Sequence, residues 1–362
     1  MNIPVEKPIL IQRYPGLEEK VPWTALGNFP TPIQRLTRVG PANLWIKRDD
    51  LSSHIYGGNK IRKLEHILAD VQEKKKKKVV TMGGIGTNHG LATAIFCHRL
   101  GIGCDLLLFK QPVTKNVKQN LRLFYRYGTN ISYRKTLWGT VFDFYLLHRI
   151  RQPGAYFLFA GGSTPLGTVG FVNAAFELKD QIDQGEMPEP KKIFCALGSN
   201  GTLAGLALGA KLAGLKSHIV GIRVTAPRLG PFPASTPKAV DTLVRQTHGL
   251  LRKCCPEIPG TPVPSPEIVD NYFGGAYGRV TETGRATYHL VKEKEGIALD
   301  PTYTAKTFAG VLDAAKKEDT APVLYWHTYN SVDMTAEAAA VDPQEMAEPL
   351  HAIVTGAEIP FP

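Results

Sequence analysis

Patterns that form disulfides or clamp metals are missing from this chain. Its five cysteines (Cys97, Cys104, Cys195, Cys254 and Cys255) are odd in number and show no C-x-x-C spacing. A disulfide framework and a zinc ribbon are therefore excluded, and no metal is expected. The vicinal Cys254-Cys255 pair reads as two reduced thiols in a loop, and the whole set fits a reducing, cytoplasmic compartment. The first residues, Met1 to Lys7, lack the apolar core of a signal peptide. Long hydrophobic runs are also lacking. The uncharged stretch 153–176 imitates one, but five glycines and two prolines interrupt it. It reads as strand, glycine-rich turn and helix, so no membrane span is expected.

Acidic residues are the scarcer charge: 32 Asp and Glu stand against 43 Lys and Arg, a formal net charge of +11. A basic balance can serve nucleic acid, anionic membranes or acidic small molecules. The dense run, Lys74 to Lys78, ends a helical pattern and carries no interleaved aromatics. It reads as a solvated helix end, and no nucleic-acid partner is expected.

What is present is an ordinary globular composition, 43% hydrophobic and 21% charged over 362 residues. At roughly 150 residues per domain, that length suggests two domains or one large α/β unit. Residues 1–43 are proline-rich and irregular. Strand patterns then follow at 43–47, 79–82, 104–109, 130–133, 156–160, 193–197, 219–224 and 323–327. Between them, apolar residues at 61, 64, 67, 68 and 71 keep helical spacing. Further helical patterns run over 91–100, 115–127, 140–150 and 202–215. Strands alternating with helices argue for parallel sheets covered by helices on both faces.

Two strand–glycine–helix junctions stand out, at residues 79–90 and 193–205. Glycines there let backbone N–H groups and a helix dipole approach an anion. Gly84, Gly86 and Gly90 approximate a dinucleotide fingerprint. The next strand, however, ends in Phe109-Lys110 rather than an acidic residue, which disfavours NAD. A nicotinamide reading also leaves the lysine at residue 60 unexplained. Lys60 opens a helix directly after Gly57-Gly58-Asn59. A lysine near a phosphate-cradling loop is what a Schiff-base cofactor needs.

Taken together, the segments resemble the pyridoxal-phosphate enzymes of the D-cysteine desulfhydrase and 1-aminocyclopropane-1-carboxylate deaminase family. The resemblance rests first on Ile46 to Leu51, on the G-G-N-K-x-R-K-L-E block from Gly57 to Glu65, and on Gly83 to His89. It continues through Gly161-Gly-Ser163, Gly198 to Thr202, Gly275 to Gly278, Asp300 to Thr304 and His327-Thr328. These recur in family order from about residue 30 to 330.

The resemblance implies an α/β, two-domain fold of the tryptophan-synthase-β type (fold type II), with parallel-rich twisted sheets flanked by helices. It places cofactor and substrate between a larger domain, 1–62 plus 165–362, and a smaller one, 63–164. It implies that Lys60 forms the internal aldimine and later shuttles the α-proton. Gly198, Ser199, Asn200, Gly201 and Thr202 would hold the phosphate, and Asn88 the cofactor's 3-hydroxyl. Thr87 stands where the family usually has Ser and would touch the substrate carboxylate, in a pocket tightened by its methyl group. Tyr277 and Tyr303 match the family's active-site tyrosines. A homodimer is the assembly expected from the family.

Two further positions speak to the reaction. Thr304 stands where the deaminases place Glu beside the pyridine nitrogen, and Thr328 follows His327 where they continue with Leu. Neutral hydroxyls there weaken the electron sink and keep charge near Cα. That favours α,β-elimination from a small β-substituted amino acid, giving a keto acid and ammonia. Ring opening of a cyclopropane, sulfo-lyase chemistry and β-replacement are the rivals on the same scaffold. A catalytically idle carrier of the cofactor is the rival of another class. Tyr329-Asn330 replace the Gly-Gly that follows His-Thr in the desulfhydrases, so the substrate is expected to differ from D-cysteine if those side chains build the pocket.

Overall fold

The computed structural model describes residues 6–359 except 42, 230, 231, 276, 277 and 319. Its strands are β1 (Ile33–Arg35), β2 (Leu44–Lys47), β3 (Lys78–Gly84), β4 (Gly103–Phe109), β5 (Asn130–Arg134) and β6 (Tyr156–Leu158). They continue with β7 (Lys192–Leu197), β8 (His218–Arg223), β9 (Arg228–Leu229), β10 (Phe232–Pro233), β11 (Glu267–Val269) and β12 (Val323–Trp326). The helices begin with α1 (Ile9–Arg13), α2 (Lys60–Glu73), α3 (Asn88–Arg99), α4 (Lys115–Arg126), α5 (Leu137–Phe142) and α6 (His148–Arg151). After them come α7 (Pro165–Asp183), α8 (Gly201–Ala213), α9 (Pro237–Cys254), α10 (Glu282–Glu295), α11 (Thr304–Ala315), α12 (Thr335–Ala339) and α13 (Leu350–Thr355).

The chain divides into two units, residues 1–67 with 163–331 and residues 68–162 with 332–362, the first change falling inside α2. The first unit holds a six-stranded sheet in the order β1-β2-β12-β7-β8-β11. Only the β1–β2 pair in it is antiparallel. Val323, Leu324, Tyr325 and Trp326 are all buried, as a central parallel strand covered on both faces requires. One core lies among α7, α8 and α9 and includes Phe171, Leu206 and Trp326. A second includes Phe194, Phe308 and Tyr325.

The second unit holds a four-stranded parallel sheet in the order β5-β4-β3-β6. Its core includes Val80, Met82, Leu107 and Phe144. The alternation of strands and helices anticipated from the pattern is present in both units.

Three expectations change. Residues after 331 join the second unit, not the larger domain, because α12 and α13 pack on α4. Lys118 Nζ donates to Gly356 O at 2.6 Å, and the Ala347 N–H donates to the Tyr125 hydroxyl at 3.0 Å. Local patterns in the sequence do not say which surface a short terminal helix covers. Cys254 is the last residue of α9 and Cys255 its C-cap, both buried rather than in an open loop. The helical pattern at 140–150 extends from 137 to 151 and contains a π-helical turn at Asp143–Leu147. There Asp143 is buried, forms an ion pair with Arg134 at 2.6 Å and stands 2.6 Å from His148 Nδ1 through Oδ1. Trp138, Phe142, Tyr145, Leu146 and Ile150 are exposed instead.

The lysine run behaves as expected of a helix end. Lys75 takes a left-handed conformation just past α2, and Lys74 Nζ pairs with Asp70 at 2.7 Å. No helix among the described residues is long and apolar enough to cross a membrane.

Candidate active site

Helix α2 is pinned at its start by the residue between its two functional candidates. Arg62 is fully buried and donates Nε to Asp49 Oδ2 at 2.9 Å and NH2 to Asp49 Oδ1 at 2.8 Å. It also donates NH1 and NH2 to Glu177 at 2.8 and 2.9 Å. Lys47 Nζ adds a bond to Glu177 at 2.6 Å, and Trp326 Nε1 one to Asp49 at 2.7 Å. Burial works to raise the Glu177 pKa, but Arg62 and Lys47 outweigh it and hold the carboxylate down at about 2. Removing one partner from such a buried set costs about 3–5 kcal/mol. The network fixes the rotation of α2 and turns Lys60 and Lys63 to another face.

Lys60 is the first residue of α2 and half-buried. Crowding by protein atoms pulls its amine down to about 8. Its loop is tied to the strand–helix junction at 198–202, where Asn59 Nδ2 donates to Thr202 Oγ1 at 3.0 Å.

That junction leaves β7 at Gly198 and enters α8 at Gly201. Lys63, one helical turn beyond Lys60, reaches it. Its Nζ donates to Ser163 Oγ at 3.2 Å and to Ser199 Oγ at 3.4 Å. The Gly201 N–H also donates to Ser163 Oγ, at 3.1 Å. A Cβ on Gly201 would stand 2.9 Å from Lys63 Nζ and 3.0 Å from Ser163 Oγ, so glycine keeps this space open. Burial, and then the charge of Lys60, push the Lys63 amine well down. Lys63 Nζ, one turn along α2 from Lys60, thus stands at the positive end of a 13-residue helix. An anion is what such a place accommodates.

The other expected residues of this unit lie as follows. The Tyr303 ring rests on Gly198, where an added Cβ would be 3.3 Å from Cε1. Thr304 is buried, and its hydroxyl is committed to Asp300. It donates to Oδ2 at 2.8 Å and accepts the Asp300 N–H at 2.6 Å. Asn200 donates its amide to Ala234 O at 2.7 Å. Thr328, half-buried, follows β12, and its carbonyl accepts the Asn59 N–H at 3.2 Å. His327 is buried, with Nε2 3.0 Å from Ala298 O. Burial and the charge of Asp300 push the Tyr329 phenol up. Tyr277 lies outside the described residues.

The second unit carries Thr87 and Asn88 on its own junction, between β3 and α3. Thr87 is the N-cap of α3, and its Oγ1 accepts the Gly90 N–H at 3.1 Å. Its side chain lies on Gly83, where a Cβ would come within 2.7 Å. Asn88 Oδ1 accepts from Asn120 Nδ2 at 3.2 Å.

Reasoning from sequence quoted Lys63 and Ser163 but gave neither a role. The available signal was spacing, since residues three apart on a helix share a face. Asp300, which caps α11 through its carboxylate, was also passed over.

The residues present fit pyridoxal phosphate. A lysine poised to lose its proton stands beside an anion cradle that a single Cβ would fill. Among the described residues, no group of three or more His, Cys, Asp or Glu could hold a metal. Residues 24–328 match the family model described as pyridoxal-phosphate dependent enzyme. A putative 1-aminocyclopropane-1-carboxylate deaminase of Pyrococcus abyssi is 33% identical over 331 residues, covering 88% of this chain and 92% of that protein. A D-cysteine desulfhydrase of Klebsiella pneumoniae is 30% identical over 334 residues, covering 88% and 94%.

Among solved structures, an ACC deaminase homologue superposes with a TM-score of 0.75 at 28% identity, covering 93% of this chain and all of that one. An O-ureido-L-serine synthase, 16% identical, shares the fold at a TM-score of 0.60, covering 88% and 94%. The fold type II architecture anticipated from the motifs is therefore the one the chain has. With a match spanning most of its length and relatives that it covers almost end to end, the chain belongs to the family of pyridoxal-phosphate dependent enzymes.

Proposed function

We propose that this enzyme is a lyase that performs α,β-elimination on a small β-substituted amino acid, D-cysteine being the first candidate, and yields a keto acid and ammonia. The observation that carries the cofactor assignment is the meeting of Lys63, Ser163 and Gly201 at the start of α8, with Lys60 one turn before Lys63 on α2. The choice of elimination is supported by the start of α11. There Thr304 supplies a neutral hydroxyl, bound to Asp300, and the Asp300 carboxylate also accepts from the N–H groups of residues 302, 303 and 304. A relative named D-cysteine desulfhydrase points the same way. Relatives named putative 1-aminocyclopropane-1-carboxylate deaminase keep ring opening as the alternative.

When bound, pyridoxal phosphate supplies an electron sink conjugated to the substrate's Cα. The protein supplies the rest. Lys63, Ser163, Ser199, the Thr202 hydroxyl and the first N–H groups of α8 hold the phosphate. Lys60, with its amine near 8, carries the cofactor and then moves the proton at Cα. Tyr303, stacked on Gly198, orients the reacting amino acid and holds a proton for the leaving group. Thr87, at the N-terminus of α3, is assigned the substrate carboxylate. Asn88 is assigned the cofactor's 3-hydroxyl, and Tyr277 and Thr328 complete the proposed set.

The proposed setting is the cytoplasm, which five buried free thiols suit. The proposed assembly is a homodimer. Its support is the exposed apolar face of residues 137–159, where Tyr145 and Phe159 lie with ring centroids 6.5 Å apart.

The deciding experiment incubates the holoenzyme with D- and L-cysteine, other β-substituted amino acids and 1-aminocyclopropane-1-carboxylate, and measures keto acid, ammonia and sulfide or sulfite. Elimination from a β-substituted amino acid supports the proposal. Turnover of the cyclopropane alone overturns it.

A further inference from the structure

The segment leaving β12 lies directly along the loop that carries Lys60. The Asn59 N–H donates to Thr328 O at 3.2 Å. Gly58, at φ +96°, approaches so closely that a Cβ would meet Thr328 O at 2.8 Å and Tyr329 O at 3.0 Å. Asn330 reaches the same loop through its side chain, with Oδ1 accepting the Gly57 N–H at 2.7 Å. The donor is a backbone N–H, so the amide must present its oxygen here. Ser331 holds the segment from the far side. Its hydroxyl donates to Asp50 Oδ2 at 2.5 Å, and its N–H to Asp50 O at 3.3 Å.

We infer that Asn330 is a positioning residue for Lys60, its side-chain oxygen holding the two-glycine loop from which the lysine's helix starts. Glycine backbones have the widest conformational freedom, so local sterics do not set the path of residues 57–58. External bonds must set it. The Gly58 N–H is held by Asp49 O at 2.8 Å and the Gly58 carbonyl by Ser52 Oγ at 3.1 Å, while Gly57 packs on the Asp50 carbonyl, which a Cβ would meet at 2.0 Å, and has its N–H bound by Asn330. Asn330 is also one of the two positions where this chain departs from the Gly-Gly of the family it resembles, and a glycine there has no side chain to make the bond.

The inference rests on the reading that Lys60 carries the cofactor, and two measurements keep the two claims apart. The first is amide hydrogen exchange at Gly57 in the full chain stripped of cofactor. The second is the rate at which borohydride fixes added pyridoxal phosphate to the protein, with mass spectrometry locating the lysine, taken at each variant's pH plateau. In Asn330→Ala, exchange at Gly57 should rise at least fivefold and the fixation rate fall five- to tenfold. Asn330→Asp, which keeps an acceptor oxygen, should return both to within about twofold of the parent. Asn330→Leu, similar in size but without an acceptor, repeats the test if the alanine variant does not fold.

Unchanged exchange at Gly57, or failure of the aspartate to rescue, overturns the inference. So does raised exchange with an unchanged fixation rate, because the loop would then be held without positioning the lysine. Fixation at a different lysine in the parent protein would instead overturn the reading of Lys60, while Gly57 exchange still decides whether Asn330 holds the loop.

Discussion

Lys63 stands one turn after Lys60 on α2, and the charge of Lys60 adds to burial in pushing the Lys63 amine down. Lys63 also touches Ser163 and the start of α8, inside the first unit. Phosphate bound there would restore the Lys63 proton and make a charge-assisted bond.

Lys63→Met should therefore weaken pyridoxal-phosphate affinity by about 10- to 100-fold, the range for a hydrogen bond to a charged group. Lys60 should remain the site of borohydride fixation. Fluorescence titration of the stripped protein checks the affinity. Parent-like binding would remove Lys63 from the phosphate site.

Attachment at Lys60 needs the neutral amine. Burial lowers its pKa from 10.5 to about 8, so the neutral fraction rises through that value. The fixation rate should climb with pH through a midpoint near 8 and level off a unit or more above it, well below the range of an ordinary lysine. Lys60→Ala should show no fixation. A midpoint near 10.5 would mean that the amine is not crowded as described.

Tyr303→Phe should lower kcat about tenfold or more while KM changes little, because a hydroxyl that serves the leaving group acts mainly in the transition state. Steady-state kinetics with the best β-substituted amino acid provide the check. A rise in KM at constant kcat would make Tyr303 a binding residue only.

Acid stability should depend on His66. Burial pulls its pKa from 6.5 down to about 4, against the opposing pull of Pro22 O, 2.9 Å from Nδ1. The unfolded chain then binds the extra proton between these values, so stability present above pH 6.5 is lost as pH falls toward 4. The loss amounts to roughly 3 kcal/mol. Denaturant midpoints of His66→Gln should fall less steeply across this window than those of the parent. Parallel curves would assign the acid loss to other groups.

The apolar face of α5 and α6 should be an assembly surface. Phe142 and Ile150, 55% and 69% exposed, stand two turns apart on it. Phe142→Glu with Ile150→Glu should halve the mass measured by light scattering and leave the helical circular dichroism unchanged. A parent that is already monomeric would remove the proposed homodimer.

Much of this protein was legible in its residues alone. Most strand and helix positions up to residue 224 follow from local periodicity, whereas α9, α10 and α11 were not anticipated. The G-G-N-K-x-R-K-L-E block singles out Lys60 because a glycine turn, a helix start and a lysine are adjacent in the chain. What the chain order could not convey was which distant groups meet. Lys63 meets Ser163, and Arg62 meets Asp49 and Glu177, across about 13 to 115 positions, through packing that no short-range pattern encodes. Thr304 has the hydroxyl expected of it, but only the folded first turn of α11 shows that hydroxyl bound to Asp300. The C-terminal helices α12 and α13 are too short to show a periodic pattern, and only the folded chain places them on α4. Local propensity writes the elements into the chain, whereas the long-range burial of charge and apolar area decides their partners.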